Sequence, residues 1–243
     1  MERWTTTIDS KEAAAFARLG CVVKVLSQIH ERVGKRVVRF QVSTVTEDGE
    51  KVGRLRKDLK GGSLPVLHPL YVMWLAFTCR RRILDLQEAG VFCRLKPVRG
   101  AEGRLWCYVL AGEGLRGTKG VAGVVRTRDV DVVAALGVVG CELLEIRGPA
   151  GNREYAVDAF GGMKGLDVAR ELELWRKRPE EMAAGHPLTI ALRVLRDLQQ
   201  IKRMARESID TVVLSKPRTT RHAVVRSDAA PEAWDEVKRF FGG

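Results

Sequence analysis

Leu188, Ala191, Leu195 and Leu198, with Ile190, Val194 and Ile201 beside them, recur at the spacing of one broad helix face. Arg193, Arg196, Gln200, Lys202 and Arg203 fall largely off it. The pattern predicts a long amphipathic helix from Leu188 to Glu207, packed on one side and basic on the other. A second long helix is predicted from Pro69, whose missing N–H costs nothing in a first helical turn, to about Glu88, with Gly90 as its stop. Each of these helical patterns is opened by the same tripeptide, His68-Pro69-Leu70 and His186-Pro187-Leu188.

Shorter elements surround them. Asp9, three residues before Glu12, can accept from orphan amides, so a helix is predicted to begin near Ser10 and to stop at Gly20. A matching helix is predicted over Val130 to Val139. Runs of β-branched and apolar residues predict strands over Cys21 to Leu26 and Lys35 to Ser43. A hairpin follows, Val91 to Leu95 with Leu105 to Leu110, around a turn from Lys96 to Arg104. In the second half, strands are expected at Glu142 to Ile146, Glu154 to Phe160, Thr211 to Leu214 and Ala223 to Arg226. Two further stretches lack a predicted counterpart: an amphipathic segment from Leu166 to Lys177 and a terminal helix from about Pro231 to Phe241.

Self-similarity organises this series. A shift of 120 puts Thr7 on Thr127, Asp9 on Asp129, Ala14 on Ala134, Ala15 on Ala135, Gly20 on Gly140, Cys21 on Cys141, Val37 on Val157 and Phe40 on Phe160, without a gap. The His-Pro-Leu tripeptides follow at a shift of 118, and Lys96-Pro97 returns as Lys216-Pro217 at 120. The expected fold class is therefore α+β, a tandem duplication of an αββαββ unit that packs as a pseudo-two-fold pseudo-dimer with antiparallel sheets. Along the chain this places repeat 1 at 1–112, a Gly-rich linker at 113–126, and repeat 2 with its extra C-terminal helix at 127–243.

Charge narrows the choice of partner. Of 243 residues, 42 are Lys or Arg against 30 Asp or Glu, a net charge of +12 that favours a polyanion, nucleic acid first, DNA ahead of RNA. Cys21, Cys79, Cys93, Cys107 and Cys141 form no CxxC and no zinc spacing, so they are read as reduced, apolar-like side chains. No secretory signal is read at the start of the chain. The longest apolar stretch, Val66 to Cys79, is too short to span a bilayer, and a cytoplasmic, in a bacterium nucleoid-associated, location is expected.

Two αββαββ units whose first helices read Ala13-Ala14-Ala15-Phe16-Ala17-Arg18-Leu19-Gly20 and Val133-Ala134-Ala135-Leu136-Gly137-Val138-Val139-Gly140 resemble the LAGLIDADG homing endonucleases in their single-chain form. The likeness covers most of the chain and is one of topology. It implies close packing of the small-residue helices and an acid just before the final glycine to bind the cleavage metal. Leu19 and Val139 stand there instead, and neither offers the oxygen ligand that Mg²⁺ needs. The resemblance thus implies a fold without nuclease chemistry. A permuted ferredoxin-like unit has the same string of elements.

Paired positions sort the candidate residues. Asp9 and Asp129 could form a symmetric metal pair but are explained by helix capping, and His68 and His186 by their place at helix starts. The glycines of 112–123 lack the spacing of a phosphate loop. Trp4, Tyr71, Trp74, Trp106, Tyr108 and Trp234 read as core or interface residues. The basic clusters remain. Arg54, Arg56, Lys57 and Lys60 crowd one polar loop, and Arg80 and Arg81, with Arg82, break the apolar pattern of the first long helix. Lys96, Arg99 and Arg104 decorate the first hairpin and Lys216, Arg218 and Arg221 its counterpart. These twelve residues, Arg82 aside, are the expected nucleic-acid contacts. The expectation is a non-catalytic nucleic-acid-binding protein, for double-stranded DNA, with no cofactor, no metal and no catalytic residue. Two alternatives stand beside it. One is a structural subunit of a nucleoprotein or phage-like assembly, with a protein partner or self-association. The other is a divergent metal-dependent nuclease using Asp58, Asp85 or Asp197.

Overall fold

The computed structural model describes residues 4–30, 35–89, 93–99, 105–111, 123–160, 162–163, 166–207, 210–215 and 222–226. Strand β1 (Trp4–Thr7) leads into helix α1 (Ser10–Arg18), then β2 (Val23–His30), β3 (Lys35–Ser43), α2 (Val52–Lys60), α3 (Pro69–Ala89), β4 (Cys93–Arg99) and β5 (Leu105–Ala111). The second series has the same order: β6 (Val124–Thr127), α4 (Val130–Val138), β7 (Leu143–Arg147), β8 (Glu154–Asp158), α5 (Val168–Lys177), α6 (Pro187–Glu207), β9 (Asp210–Ser215) and β10 (His222–Arg226). The fold is mixed α+β with antiparallel pairing throughout the described strands.

Four differences from the sequence reading stand out. Short strands β1 and β6 precede the first helix of each series, because Trp4–Thr7 and Val124–Thr127 find backbone partners on β3 and β8 that local sequence does not reveal. Residues 124–126 thus belong to a strand, not to a linker. The basic stretch 54–60 is helical rather than looped: it lies in α2, which buries Val52 and Leu55. A helix therefore stands at the place of α5 in both series, and α5 does not break the order. Lys96 and Arg99 lie within strand β4 instead of in a turn, paired with Tyr108 and Leu105. The terminal helix expected at 231–241 and most of the linker lie outside the described residues.

The chain divides into two compact units that cut across the linear order. Unit 1 combines Met1–Lys57 with Arg196–Gly243, and unit 2 is Asp58–Leu195. In unit 1 the sheet order is β1-β3-β2-β9-β10, so the first strands of the chain pair with the last, Val23 opposite Val213 and Leu26 opposite Asp210. Helix α1 covers one face. Its Ala13, Ala14, Ala15 and Ala17 are fully buried and let the helix sit close to Val23, Val25, Val42 and Val213, with Phe16 and Phe40 filling the layer. In unit 2 the sheet order is β6-β8-β7, β4 lies against β7, β4 pairs with β5, and α3 packs on α4. Val133, Leu136, Leu143, Tyr155, Val157, Met73, Ala76 and Ile83 are buried there.

The first helices of the two series begin and end alike. The Asp9 and Asp129 carboxylates each accept from the amide two residues on, at 2.8 Å. Thr7 and Thr127 hydroxyls each accept from the aspartate amide at 3.1 Å. Such a cap contributes about 1 kcal/mol. At the other end Gly20 and Gly140 take φ of 80° and 89°, a region where a side chain is strained, and turn the chain so that Cys21 and Cys141 donate back to the Phe16 and Leu136 carbonyls. One matched pair diverges: Phe40 is buried, whereas Phe160 is exposed just beyond β8.

Candidate nucleic-acid interface

Several groups with the potential for chemistry are occupied by structural work. His68 and His186 each use Nδ1 to accept a hydrogen bond from the backbone of Leu70 and Leu188, at 3.1 and 3.2 Å, serving the open amides of α3 and α6. Asp197 is fully buried against Arg18, and Asp85 pairs with Arg81 one helical turn away. Among the described residues no group of three or more His, Cys, Asp and Glu side chains could hold a metal ion. No helix among them is long and apolar enough to cross a membrane.

Burial pushes the Cys21 thiol up to about 11, against smaller lowering contributions from a Ser43 hydrogen bond and the Arg56 charge. Burial, reinforced by the Asp158 charge, pushes Cys141 up to about 12. A raised thiol value means less thiolate at any pH below it, and thiolate is the reactive form. At pH 8 iodoacetamide should therefore leave both residues unmodified in the folded protein and label both in urea, read by peptide mass mapping. Labelling of either at the rate of an exposed thiol would contradict this.

Ion pairing separates the sequence-predicted basic residues. Arg56 is held by Glu12 and the Thr5 hydroxyl and lies over the Phe16 ring, so it fastens α2 to α1 and β1. Arg80 is paired with Asp131, between α3 and α4. Both are partly buried, and neither presents its charge outward. Arg54, Lys57 and Lys60 are exposed on α2, but the turn before it carries exposed Glu47, Asp48 and Glu50. Arg81 is exposed and paired with Asp85. Lys96 and Arg99 have described backbone only, while Arg104, Lys216, Arg218 and Arg221 lie outside the described residues.

Among the described residues the most uniform basic surface is on α6, within unit 1. Arg196, Gln199, Arg203 and Arg206 are all exposed and follow one another at three- and four-residue steps, the spacing of a single helix ridge. The ridge spans about 15 Å at 1.5 Å per residue. Arg203 also donates to the Gln200 side chain at 3.0 Å, and no acid stands on the ridge before Glu207 at the helix end. The opposite side carries buried Leu198, Ile201 and Met204 and so fixes which side faces out. Sequence periodicity already put Arg196 and Arg203 off the apolar face. It also put Arg193 there, and the structure reverses this: Arg193 is buried and donates to the Pro179 carbonyl at 2.9 Å.

A second basic feature lies on the sheet face of unit 1 away from α1. Strand alternation sends Thr6, Gln41, Arg39 and Lys24 to that side, opposite the buried Val23, Val25, Phe40 and Val42. Trp4 is there too, not in the core, with the Lys24 ammonium 4.1 Å from its ring centroid. Asp210 follows Arg39 and Leu26 across the sheet, so this face is mixed in sign. The corresponding face of β6, β7 and β8 is neutralised more fully: Arg126 lies near both Glu145 and Glu154, and Arg147 pairs with Glu145. The alternation of Arg39, Gln41 and Ser43 with Val38, Phe40 and Val42 was available in the sequence as a signal for this surface. Comparison with protein-family models, with curated proteins and with solved structures finds no match to the chain.

Proposed function

We propose that this protein is a non-catalytic binder of double-stranded DNA, built by tandem duplication into a pseudo-dimer with a LAGLIDADG-like layout that lacks the family's acids. The observation that carries the binding reading is the arginine ridge of α6. An α-helix fits the major groove, where Arg reads guanine and Gln reads adenine while further arginines take phosphates. Arg196, Gln199, Arg203 and Arg206 supply that set on one exposed side. The net charge of +12 favours the same partner at longer range. Matched caps at Asp9 and Asp129, matched glycines at 20 and 140, and matched His acceptors before α3 and α6 support the duplication.

A salt titration tests the binding. Affinity for a duplex of about 20–30 base pairs should fall linearly on a log–log plot, with a slope near −0.9 for each phosphate neutralised. A binder using three or more arginines should show a slope of about −3 or steeper. No binding to DNA at 20–50 mM salt, a range chosen to favour ionic contacts, would sink the proposal. Preference for an acidic protein partner over DNA would instead favour the interaction-subunit reading.

A further inference from the structure

We infer that two ion pairs sort the four half-repeats, so that the chain assembles across its repeats instead of each repeat closing on itself. The inference rests on the duplication proposed above. Unit 1 joins the first half of series one (β1, α1, β2, β3) to the end of series two (β9, β10 and the latter part of α6). Unit 2 joins α3, β4 and β5 to β6, α4, β7 and β8. The competing arrangement would put α1 on α3 and α4 on α6. It closes shorter loops and would form first by chain entropy alone. Since the two series present the same order of elements, the backbone frame admits either arrangement, and side chains must choose between them.

The polar pairs do discriminate. Arg18 on α1 and Asp197 on α6 are both buried and joined. Through Gly20 and Gly140 on one side, and His68 and His186 on the other, their counterparts are Val138 and Cys79, both buried and apolar. In the competing arrangement Arg18 would meet the position of Cys79, and Asp197 that of Val138, leaving two buried charges uncompensated. The second pair repeats the logic in unit 2. Arg80 on α3 joins Asp131 on α4, and their counterparts are Leu198 and Lys11. The competing arrangement would set Arg80 against Lys11, like against like, and Asp131 against buried Leu198. Each pair rewards the observed assembly and penalises the alternative, the two components that specificity requires.

The test erases the code while keeping the packing. In full-length R18V/D197C/R80L/D131K each changed position takes the residue of its counterpart. Assembly is read from an introduced disulfide, L26C/D210C, across residues that face each other on β2 and β9 in the observed assembly. After refolding from urea and oxidation, the L26C/D210C protein should form this crosslink in high yield, identified by peptide mass mapping. In the erased background the yield should fall by about half or more while cooperative unfolding persists, because the charge penalty on the competing assembly is gone. Full crosslinking in a cooperatively folded erased variant overturns the sorting inference and leaves the duplication standing. Loss of cooperative folding overturns the residue correspondences, and with them the inference. A second variant, C79D/D197C, moves the acid to the competing partner of Arg18 and should abolish the crosslink with helical circular dichroism retained; a persistent crosslink overturns the inference. None of these readouts depends on DNA binding.

Discussion

Asp197→Ala is expected to destabilise the protein by about 3–5 kcal/mol, the usual cost of leaving one member of a buried pair without its partner. Asp197 is fully enclosed and Arg18 nearly so, with Arg18 Nε 2.5 Å from Asp197 Oδ2. The loss comes less from the attraction removed than from a guanidinium held where water cannot solvate it. Replacing both with apolar residues of similar volume, R18M/D197L, should recover most of the stability, since neither change leaves a buried charge behind. By contrast Asp85→Ala, which removes a partner from the exposed Arg81, should cost no more than about 0.5 kcal/mol. Urea unfolding followed by circular dichroism measures all three. Equal midpoints for D197A and D85A would show that the Arg18–Asp197 pair has no special structural weight. The double variant addresses stability, while assembly is a separate matter: a chain that keeps its stability without the charges can still lose its preference between pairings.

The triple variant R196A/R203A/R206A is expected to reduce the salt slope of DNA binding by about 2–3 units and the affinity at ~0.1 M salt by about two orders of magnitude. All three side chains are exposed and lie on the side of α6 away from Leu198, Ile201 and Met204, so removing them should leave the unfolding midpoint nearly unchanged. Alanine also keeps the helical propensity. An unchanged slope would move the binding surface elsewhere on the molecule. The first alternative is then the sheet face with Lys24 and Arg39, where K24A/R39A would give a smaller slope change of about 1–2 units.

Much of the local structure was legible because it depends on neighbours in the chain. Asp9 and Asp129 read as caps because a carboxylate needs only the next two or three amides, and the same reach explains His68 and His186. The long helices α3 and α6 read from apolar spacing, and α6 already showed a basic side. Arg193 was misplaced because its side chain is settled by a carbonyl fourteen residues back, at Pro179. Helix α2 was missed because its basic residues look like a polar loop until Val52 and Leu55 find a core. Trp4 was read as a core or interface residue, and its strand alternates so as to place it beside Lys24, on the sheet face away from α1.

The sequence by itself determined the long helices α3 and α6, the paired caps and glycines, the charge excess and the basic side of α6, since each follows from residue type and spacing along a few turns of chain. Only the tertiary structure decided which half packs with which, that β2 pairs with β9, that Arg56 and Arg80 turn inward, and that Asp197 lies buried on Arg18. The two series carry the same kinds of local signal in the same order, so spacing cannot distinguish pairing within a series from pairing across the two. That distinction depends on contacts between residues far apart in the chain, and in a low-dielectric interior an uncompensated charge weighs more than any local preference.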